Sequence, residues 1–231
     1  MQKGLIQIAG IHDIEEARLC ESLGIRWLGF PLFLDVHTPD CSVEEAQSII
    51  HDLQAETRPV LITYLTDPKK ITEVADYLGV QWVQLHALWS LEGLDQLRQI
   101  APTLKIIKSI VIHPGMATQT PYYQQFSNRV EAFLTDTFDP GTGASGATGK
   151  IHDWAISRDL VEALEPPVIL AGGLTPHNVA DAIKMVHPYG VDCHTGVEDQ
   201  NGRKDPKKLE MFIQACEQAF MDASQLSRES L

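Results

Sequence analysis

The chain has 231 residues, 44% of them hydrophobic, and its 31 acidic and 18 basic side chains give a formal net charge of −13. Such a composition can bury a large core, whereas the negative charge opposes binding to nucleic acid and to anionic membranes. Four scattered cysteines without a CxxC pair predict reduced thiols in a cytoplasmic protein. The sequence has no signal-peptide pattern and no apolar run of about 18 residues, so we expect neither secretion nor a membrane span.

Short apolar segments alternate with longer segments of helical periodicity along the chain. The predicted strands cover 5–9, 27–30, 59–65, 82–85, 104–110, 130–136, 167–173 and 190–196. Eight strands separated by helices predict a single-domain α/β fold, a (β/α)8 TIM barrel. An open, doubly wound sheet is the alternative, because periodicity cannot distinguish the two. We place the barrel at residues 1–220 and predict a flexible C-terminal tail at 221–231.

Several helix ends carry capping signals. Ser42 precedes Glu45 by three residues, which is the spacing of a capping box. Asp67 and Thr175 each stand directly before a proline, and we expect both to be N-caps with the proline in the first helical turn. Gly24 follows the first helical segment and is predicted to end it.

Polar residues occur where the predicted strands end. They include Tyr64, Gln84, His86, Lys108, Asp136 and His194. In a (β/α)8 barrel the carboxyl ends of all strands open onto one face, where active sites lie. We therefore expect these side chains to converge on a functional site.

The order of five short motifs resembles the phosphoribosylanthranilate isomerase family of tryptophan biosynthesis. The motifs are VQLHA (83–87), FLTDT (133–137), GATGKIHDW (146–154), LAGGLTPHNV (170–179) and VDCHTGVE (191–198). With the opening segment, the resemblance extends over about residues 5–215. It implies a (β/α)8 barrel, in agreement with the strand count. It also implies an Amadori rearrangement, an aldosylamine-to-ketosamine isomerisation that needs neither a metal nor an organic cofactor.

The resemblance further implies a general acid and a phosphate site. Asp136 stands where the family has the aspartate that protonates the ribose ring oxygen. Without the motif, a strand-ending aspartate that caps a loop is the simpler interpretation. Gly172 and Gly173 at the end of the seventh predicted strand, and Thr195 and Gly196 at the end of the eighth, stand where family members hold the ribose phosphate. Glycine lets the backbone approach a ligand closely, and a helix N-terminus presents free N–H groups to an anion.

The glycine-rich run at 141–150 does not match a nucleotide-binding P-loop. That motif requires a glycine where the chain has Ala144, and a serine or threonine where it has Ile151. We predict instead that this run forms a flexible lid over the mouth of the barrel.

Three positions depart from the family pattern, and all belong to the expected site. Ala9 stands where the family has the cysteine that acts as general base, and a methyl group cannot accept a proton. Gln7 replaces the lysine that the family has two residues earlier. No arginine occurs between Gly29 and Arg58, where family members have the arginine that binds the anthranilate carboxylate. Losing that bidentate partner weakens carboxylate binding.

New ionisable residues accompany these losses. His194 ends the last strand, which neighbours the first strand in a closed barrel and therefore lies near Ala9. Its imidazole is a candidate for the missing base, for a phosphate or substrate ligand, or for a residue with no direct part. We also expect Gln7, Ala9, His37 and His86 to contact the substrate. Asp35, Cys41 and the histidines lack the spaced pairs that anchor zinc, so no metal site is predicted.

Two functions therefore remain open. The first is an isomerase of a phosphoribosyl or related sugar-phosphate amine, with Asp136 as acid, His194 as the altered base and no cofactor. The second is a phosphosugar-binding relative of the enzyme with a binding or regulatory role. In either case the expected partner is a small phosphorylated sugar amine rather than nucleic acid or membrane, and the protein is expected to be a monomer or a homodimer.

Overall fold

The computed structural model describes residues 1, 3–36, 38–113, 120–139, 144–145 and 151–229. Within these ranges, strands and helices alternate along the chain. The strands of the main sheet are β1 (Leu5–Ala9), β2 (Trp27–Leu32), β3 (Arg58–Thr63), β4 (Trp82–Leu85), β5 (Lys105–Ile112), β6 (Ala132–Asp139), β7 (Val168–Leu170) and β8 (Gly190–Cys193). The helices are α1 (Ile14–Ser22), α2 (Val43–His51), α3 (Pro68–Leu78), α4 (Leu91–Ile100), α5 (Thr120–Gln124), α6 (Trp154–Ala163), α7 (Val179–Val186) and α8 (Pro206–Glu229).

The eight parallel strands close into a barrel. Each strand pairs with the next along the chain, and β8 pairs with β1 in a register that places Leu5 opposite Gly190 and Gln7 opposite Asp192. The prediction of a (β/α)8 barrel is therefore confirmed, and the open-sheet alternative is wrong. A two-residue strand, Ala144–Ser145, pairs antiparallel with the end of β6.

Apolar side chains cover both faces of the sheet, one inside the barrel and the other between the sheet and the helices. Alternate strand residues point inward and form an interior cluster that includes Trp27, Val60, Ile107, Leu134 and Ile169. The other strand residues pack against the surrounding helices in a larger cluster. Because both faces of the sheet are covered, the strands have nearly continuous apolar sequences, which is why they could be located from the sequence.

The helix caps agree with those predicted from the sequence in all but one case. Ser42 and Glu45 form the predicted capping box, and the Asp67 side chain accepts a hydrogen bond from the Lys69 N–H. Gly24 adopts a positive φ of 85° directly after the C-cap of α1, as predicted. Thr175 is not an N-cap, because α7 begins later, at Val179.

The difference at Thr175 has a local cause. The side-chain oxygen of Asn178 accepts a hydrogen bond from the Thr175 N–H at 2.8 Å, and its amide nitrogen donates to the Gly173 carbonyl at 3.0 Å. These bonds hold residues 175–178 in a turn, so the helix starts after it. The last two predicted strands also end early, at Leu170 and Cys193.

The final helix is longer than the sequence indicated. It continues to Glu229, so residues 221–229 of the predicted tail are helical, while the flexibility of the tail stays a prediction. None of the helices in the described ranges is both long enough and apolar enough to cross a membrane.

Candidate active site

A cavity of about 230 Å³ opens at the carboxyl ends of the strands. Its lining includes Ala9, Asp40, His86, Asp136, Asp192 and His194. A smaller cleft of about 30 Å³ lies between the turns after β7 and β8 and shares Asp136, Asp192, His194 and Thr195 with the first. The two openings therefore form one continuous site that contains several ionisable groups.

Asp136 lies near the end of β6, at the junction of the two openings. Its Oδ1 accepts a hydrogen bond of 2.7 Å from the backbone N–H of Thr137. Burial raises the pKa of Asp136 to about 7, although the bond from Thr137 opposes the rise; the charge of Asp192 adds to it. At neutral pH the Asp136 carboxyl group can therefore carry a proton that it can give to a substrate.

His86 follows β4 and lies next to Asp136. The distance from His86 Nε2 to Asp136 Oδ2 is 3.6 Å, and the imidazole stacks on the Tyr64 ring with 5.2 Å between centroids. Burial, together with the charge of Lys108, lowers the pKa of His86 to about 3, so the ring is neutral. Lys108 Nζ donates to the carbonyls of Ala87 and Ser109 at 3.0 and 2.9 Å, and burial lowers its pKa to about 8.

Gln7 lies below the cavity and is fully buried. Its Nε2 donates to Asp192 Oδ1 at 2.9 Å and to Gln84 Oε1 at 3.1 Å. Burial raises the pKa of Asp192 to about 6, against the opposing effects of the Gln7 hydrogen bond and the charges of His194 and Lys204. The site thus contains a second carboxyl group, Asp192, that titrates well above the usual range for aspartate.

His194 lies over the start of the loop after β1. A methyl group built on Gly10 would overlap the imidazole ring, so the ring lies against the residue that follows Ala9. His194 Nε2 is 3.4 Å from Asp40 Oδ1 and 3.3 Å from Glu198 Oε1. Burial alone would raise the pKa of Asp40, but the hydrogen bond and charge of His194, with smaller contributions from Lys204 and His12, hold it below its usual range.

An ion-pair network extends from His194 across the rim of the barrel. The Lys204 ammonium group, fully buried, lies 2.6 Å from Glu198 Oε1 and 3.3 Å from the His194 carbonyl. The neighbouring Arg203 pairs with Asp13 at the start of α1 and with Glu16. These contacts fix the segment after β8 to the segments after β1 and β2.

The glycine turns after β7 and β8 are in close contact. Gly172 and Gly173 have φ angles of 92° and 65°, which side-chain-bearing residues rarely adopt. A methyl group on Gly172 would overlap the side chains of Thr137 and His152, and one on Gly196 would overlap the Leu174 carbonyl oxygen. Thr195 begins a short 3-10 helix, and Thr195 and Gly196 line the cleft between the two turns.

The structure brings most of the predicted site residues together. Ala9, His86, Asp136, His194 and Thr195 line the main cavity, and the glycine turns line the adjoining cleft. Gln7 does not line the cavity but supports Asp192 from below. His37 and most of the predicted lid at 141–150 lie outside the described residues.

Asp192 and Glu198 are ionisable residues of the cavity that the sequence does not single out. Asp192 lies within an apolar strand, and Glu198 lies within a family motif that gives it no role of its own. An aspartate in a strand that is otherwise apolar is a signal that could have identified Asp192. Among the described residues, we found no cluster of three or more His, Cys, Asp or Glu side chains arranged to hold a metal ion.

The closed barrel and the buried carboxyl groups at its mouth define a (β/α)8-barrel enzyme. The family model described as N-(5′-phosphoribosyl)anthranilate (PRA) isomerase matches residues 29–215. N-(5′-phosphoribosyl)anthranilate isomerase 2 of Methanosarcina mazei is 37% identical over 228 residues, which cover 97% of this chain and 99% of the relative. The chain therefore belongs to the phosphoribosylanthranilate isomerase family.

Solved structures agree with this assignment. The phosphoribosylanthranilate isomerase of Thermotoga maritima is 28% identical, with a TM-score of 0.78 over 93% of this chain and 98% of that one. A phosphoribosylanthranilate isomerase solved with reduced 1-(o-carboxyphenylamino)-1-deoxyribulose 5-phosphate is 25% identical, with a TM-score of 0.75 and the same coverage of both chains.

Proposed function

We propose that this chain isomerises N-(5′-phosphoribosyl)anthranilate, the compound in the name of its curated relatives, with Asp136 as general acid. The observation that carries the proposal is the position of Asp136 at the cavity together with its raised pKa of about 7. An exposed aspartate, with a pKa of about 3.9, would be almost fully ionised at neutral pH and could not supply a proton.

The reaction needs two proton transfers. Asp136 gives its proton to the ribose ring oxygen, and the C1–O bond breaks to leave a protonated Schiff base between C1 and nitrogen. A base then removes the proton from C2, the C–H electron pair forms a C1=C2 bond, and the C=N pair returns to nitrogen. Reprotonation at C1 and loss of the hydroxyl proton at C2 give the ketose amine. No electrons are gained or lost overall, so the reaction requires no redox cofactor.

The glycine turns are the proposed phosphate site. Gly172 and Gly173 on one side, and Thr195 and Gly196 on the other, border a cleft that joins the cavity next to Asp136. Their backbone N–H groups and the Thr195 hydroxyl are suitable donors to a phosphate. Binding the phosphate there would place the ribose in the main cavity, within reach of Asp136.

His194 is the residue that the sequence indicates as a candidate for the general base. Support for this role comes from its contact with Gly10, next to the Ala9 methyl group that replaces the family's cysteine. Asp40 and Glu198, both near Nε2, could stabilise an imidazolium formed during the reaction. The same contacts suit an alternative role in which His194 binds the substrate's anionic group.

A second function is favoured by the residues around Asp40. The chain lacks an arginine between Gly29 and Arg58, and Asp40 lines the cavity from that same segment. A carboxylate there repels the carboxylate of anthranilate unless His194 or His12 is protonated beside it. A phosphosugar-binding protein without this turnover, or an isomerase of a related sugar-phosphate amine, would meet no such repulsion.

A fluorescence assay with freshly generated N-(5′-phosphoribosyl)anthranilate separates these functions. We expect turnover by the unmodified protein and by the Ala9→Cys variant, and none by Asp136→Asn. If the unmodified protein does not turn the compound over, the isomerase proposal for this substrate is wrong; if Ala9→Cys is inactive too, the binding function is preferred. Binding of inorganic phosphate, measured by calorimetry, tests the glycine turns in both cases.

The cellular setting and assembly are part of the same proposal. We propose a cytoplasmic enzyme that acts as a monomer or a homodimer on a small phosphorylated sugar amine. Sedimentation of the purified protein with and without that ligand measures the assembly directly.

A further inference from the structure

Asp192 is a buried carboxylate to which the reaction scheme above gives no role. It lies on β8 with 8% of its surface exposed, and it lines both the main cavity and the cleft between the glycine turns. Asp136 lines the same two openings from β6, with β7 between the two strands. With the phosphate bound between the glycine turns, a ribose in the main cavity would therefore have both carboxyl groups beside it.

The position of Asp192 relative to Ala9 follows from the pairing of β1 with β8. Asp192 is paired in register with Gln7, and Ala9 lies two residues further along β1 on the same inward face. Ala9 and Asp192 both line the main cavity. Because the Ala9 side chain is only a methyl group, the space above Asp192 is open to a substrate on the side where the family has its cysteine.

The contacts of Asp192 leave its carboxylate available for a substrate proton. Its hydrogen-bond donor is the neutral amide of Gln7, at 2.9 Å. Within the described ranges, its carboxylate has no ion-pair partner at 4.0 Å or less. The charged groups that face it are Asp136 from β6, and His194 and Lys204 from the segment after β8.

His194 is less suited to accept the C2 proton. Its Nε2 already faces the carboxylates of Asp40 and Glu198, and its ring lies on the rim against Gly10. Asp192 lies deeper, where the two openings join. The geometry favours a substrate-binding role for His194 and a proton-accepting role for Asp192.

We propose that Asp192 is the general base of this chain and takes the place of the absent cysteine. This inference rests on the proposed isomerase function. The proton leaves C2 of the Schiff base for a carboxylate oxygen of Asp192, and the C–H pair forms the C1=C2 bond of the enolamine. The proton on Asp192 then returns to C1 as the C2 hydroxyl gives its own proton to the Asp136 carboxylate, so both carboxyl groups regain their starting protonation in each turnover.

The acid–base properties of Asp192 agree with this role. Burial raises its pKa to about 6, so it is ionised at neutral pH and is a stronger base than an exposed aspartate. The hydrogen bond from Gln7 opposes this rise, but a lysine at position 7 would place a cation beside Asp192 and lower its pKa further.

The test compares Asp192→Asn with His194→Asn and with Asp181→Asn, a control on the exposed face of α7. Asparagine keeps the shape of aspartate and can still accept the hydrogen bond from Gln7. We expect Asp192→Asn to lower kcat by about 10²- to 10⁴-fold, the usual contribution of a general base. His194→Asn should mainly raise KM. Affinity for reduced 1-(o-carboxyphenylamino)-1-deoxyribulose 5-phosphate, the probe ligand, should change by less than about threefold in Asp192→Asn.

A thiol at position 9 provides a second readout. Adding Ala9→Cys to Asp192→Asn should restore part of kcat, because a cysteine there can accept the C2 proton; a purely structural defect would not be repaired. The assignment is overturned if Asp192→Asn keeps kcat, if it loses the probe ligand along with kcat, or if the thiol restores nothing. Absence of turnover in the unmodified protein would overturn the proposed function as well, whereas the other outcomes concern Asp192 alone.

Discussion

The imidazole of His86 lies 3.6 Å from the carboxyl group of Asp136, and both groups are buried. Because burial lowers the pKa of His86 to about 3, this neighbour is neutral throughout the physiological range. An imidazolium ion at the same distance would stabilise the ionised carboxylate and lower the pKa of Asp136. The neutral ring instead allows Asp136 to stay protonated near neutral pH, as a general acid requires.

Replacing Asp136 by asparagine should increase stability while removing activity. The raised pKa means that the folded protein binds more protons at this site than the unfolded chain between about pH 4 and pH 7, so stability falls as the pH rises through this window. At pH 8 the ionised carboxylate destabilises the fold by up to about 4 kcal/mol. Asp136→Asn should therefore unfold at higher urea concentration than the unmodified protein at pH 8, with a difference that shrinks towards pH 4. An unchanged difference across this range would contradict the assignment.

The pH dependence of kcat/KM should have a narrow maximum between about pH 6 and 7. Activity falls at higher pH as Asp136 loses its proton, and at lower pH as Asp192 gains one. The two apparent pKa values belong to the interacting pair rather than to either residue alone. In the Asp192→Asn, Ala9→Cys variant the loss at low pH should move to higher pH, because a thiol ionises later than this carboxyl group. If the loss of kcat/KM at low pH occurs at the same pH in this variant, another residue is the base.

Lys204 should be essential for the ion-pair network at the rim. Its side chain is fully buried beside Glu198, so Lys204→Met leaves a largely buried carboxylate without its cation. Breaking such a pair costs about 3–5 kcal/mol of unfolding free energy. The exposed Lys207 in the first turn of α8 offers the matched control, because Lys207→Met should change stability by less than about 0.5 kcal/mol. Urea denaturation of both variants measures the difference, and equal losses would contradict the expectation.

Alanine variants of two glycines with positive φ measure the stability cost of backbone strain separately from the cost of steric overlap. Gly202, with φ of 78°, has open space around it, so Gly202→Ala should cost only the conformational penalty of about 1–2 kcal/mol. Gly172, with φ of 92°, also faces Thr137 and His152, so Gly172→Ala should cost clearly more. It should also weaken inhibition by inorganic phosphate, since the turn must shift. If both variants lose equal stability and keep the same phosphate affinity, the close packing at Gly172 is unimportant.

The fold could be predicted because its signals are local. Strands buried on both faces are continuously apolar, and the capping box of Ser42 and Glu45 lies within one helical turn. The start of α7 could not be predicted from Thr175 and Pro176, because the Asn178 side chain binds the Gly173 carbonyl and ties the loop to the end of β7. That contact depends on the course of the loop and leaves no periodic pattern in the sequence.

The site residues that belong to family motifs could be predicted from the sequence. The contacts that depend on strand register could not. Asp136 and the glycine turns could be located from the motifs, and the position of His194 near the end of β1 followed from barrel closure. The aspartate in an otherwise apolar strand is a signal for Asp192, but its contact with Gln7, 185 residues away, depends on strand register and could not be predicted. The roles of all these residues in catalysis stay predictions until the variants are measured.

The pairing of β1 with β8 also determines when the site can form. Asp136 belongs to the sixth strand, but Gln7 and Asp192 meet only when the last strand closes the barrel. During synthesis the first strand leaves the ribosome long before its partner, so the nascent chain has an acid without the opposing carboxylate. Ligand binding that needs both carboxyl groups therefore reports that the barrel has closed.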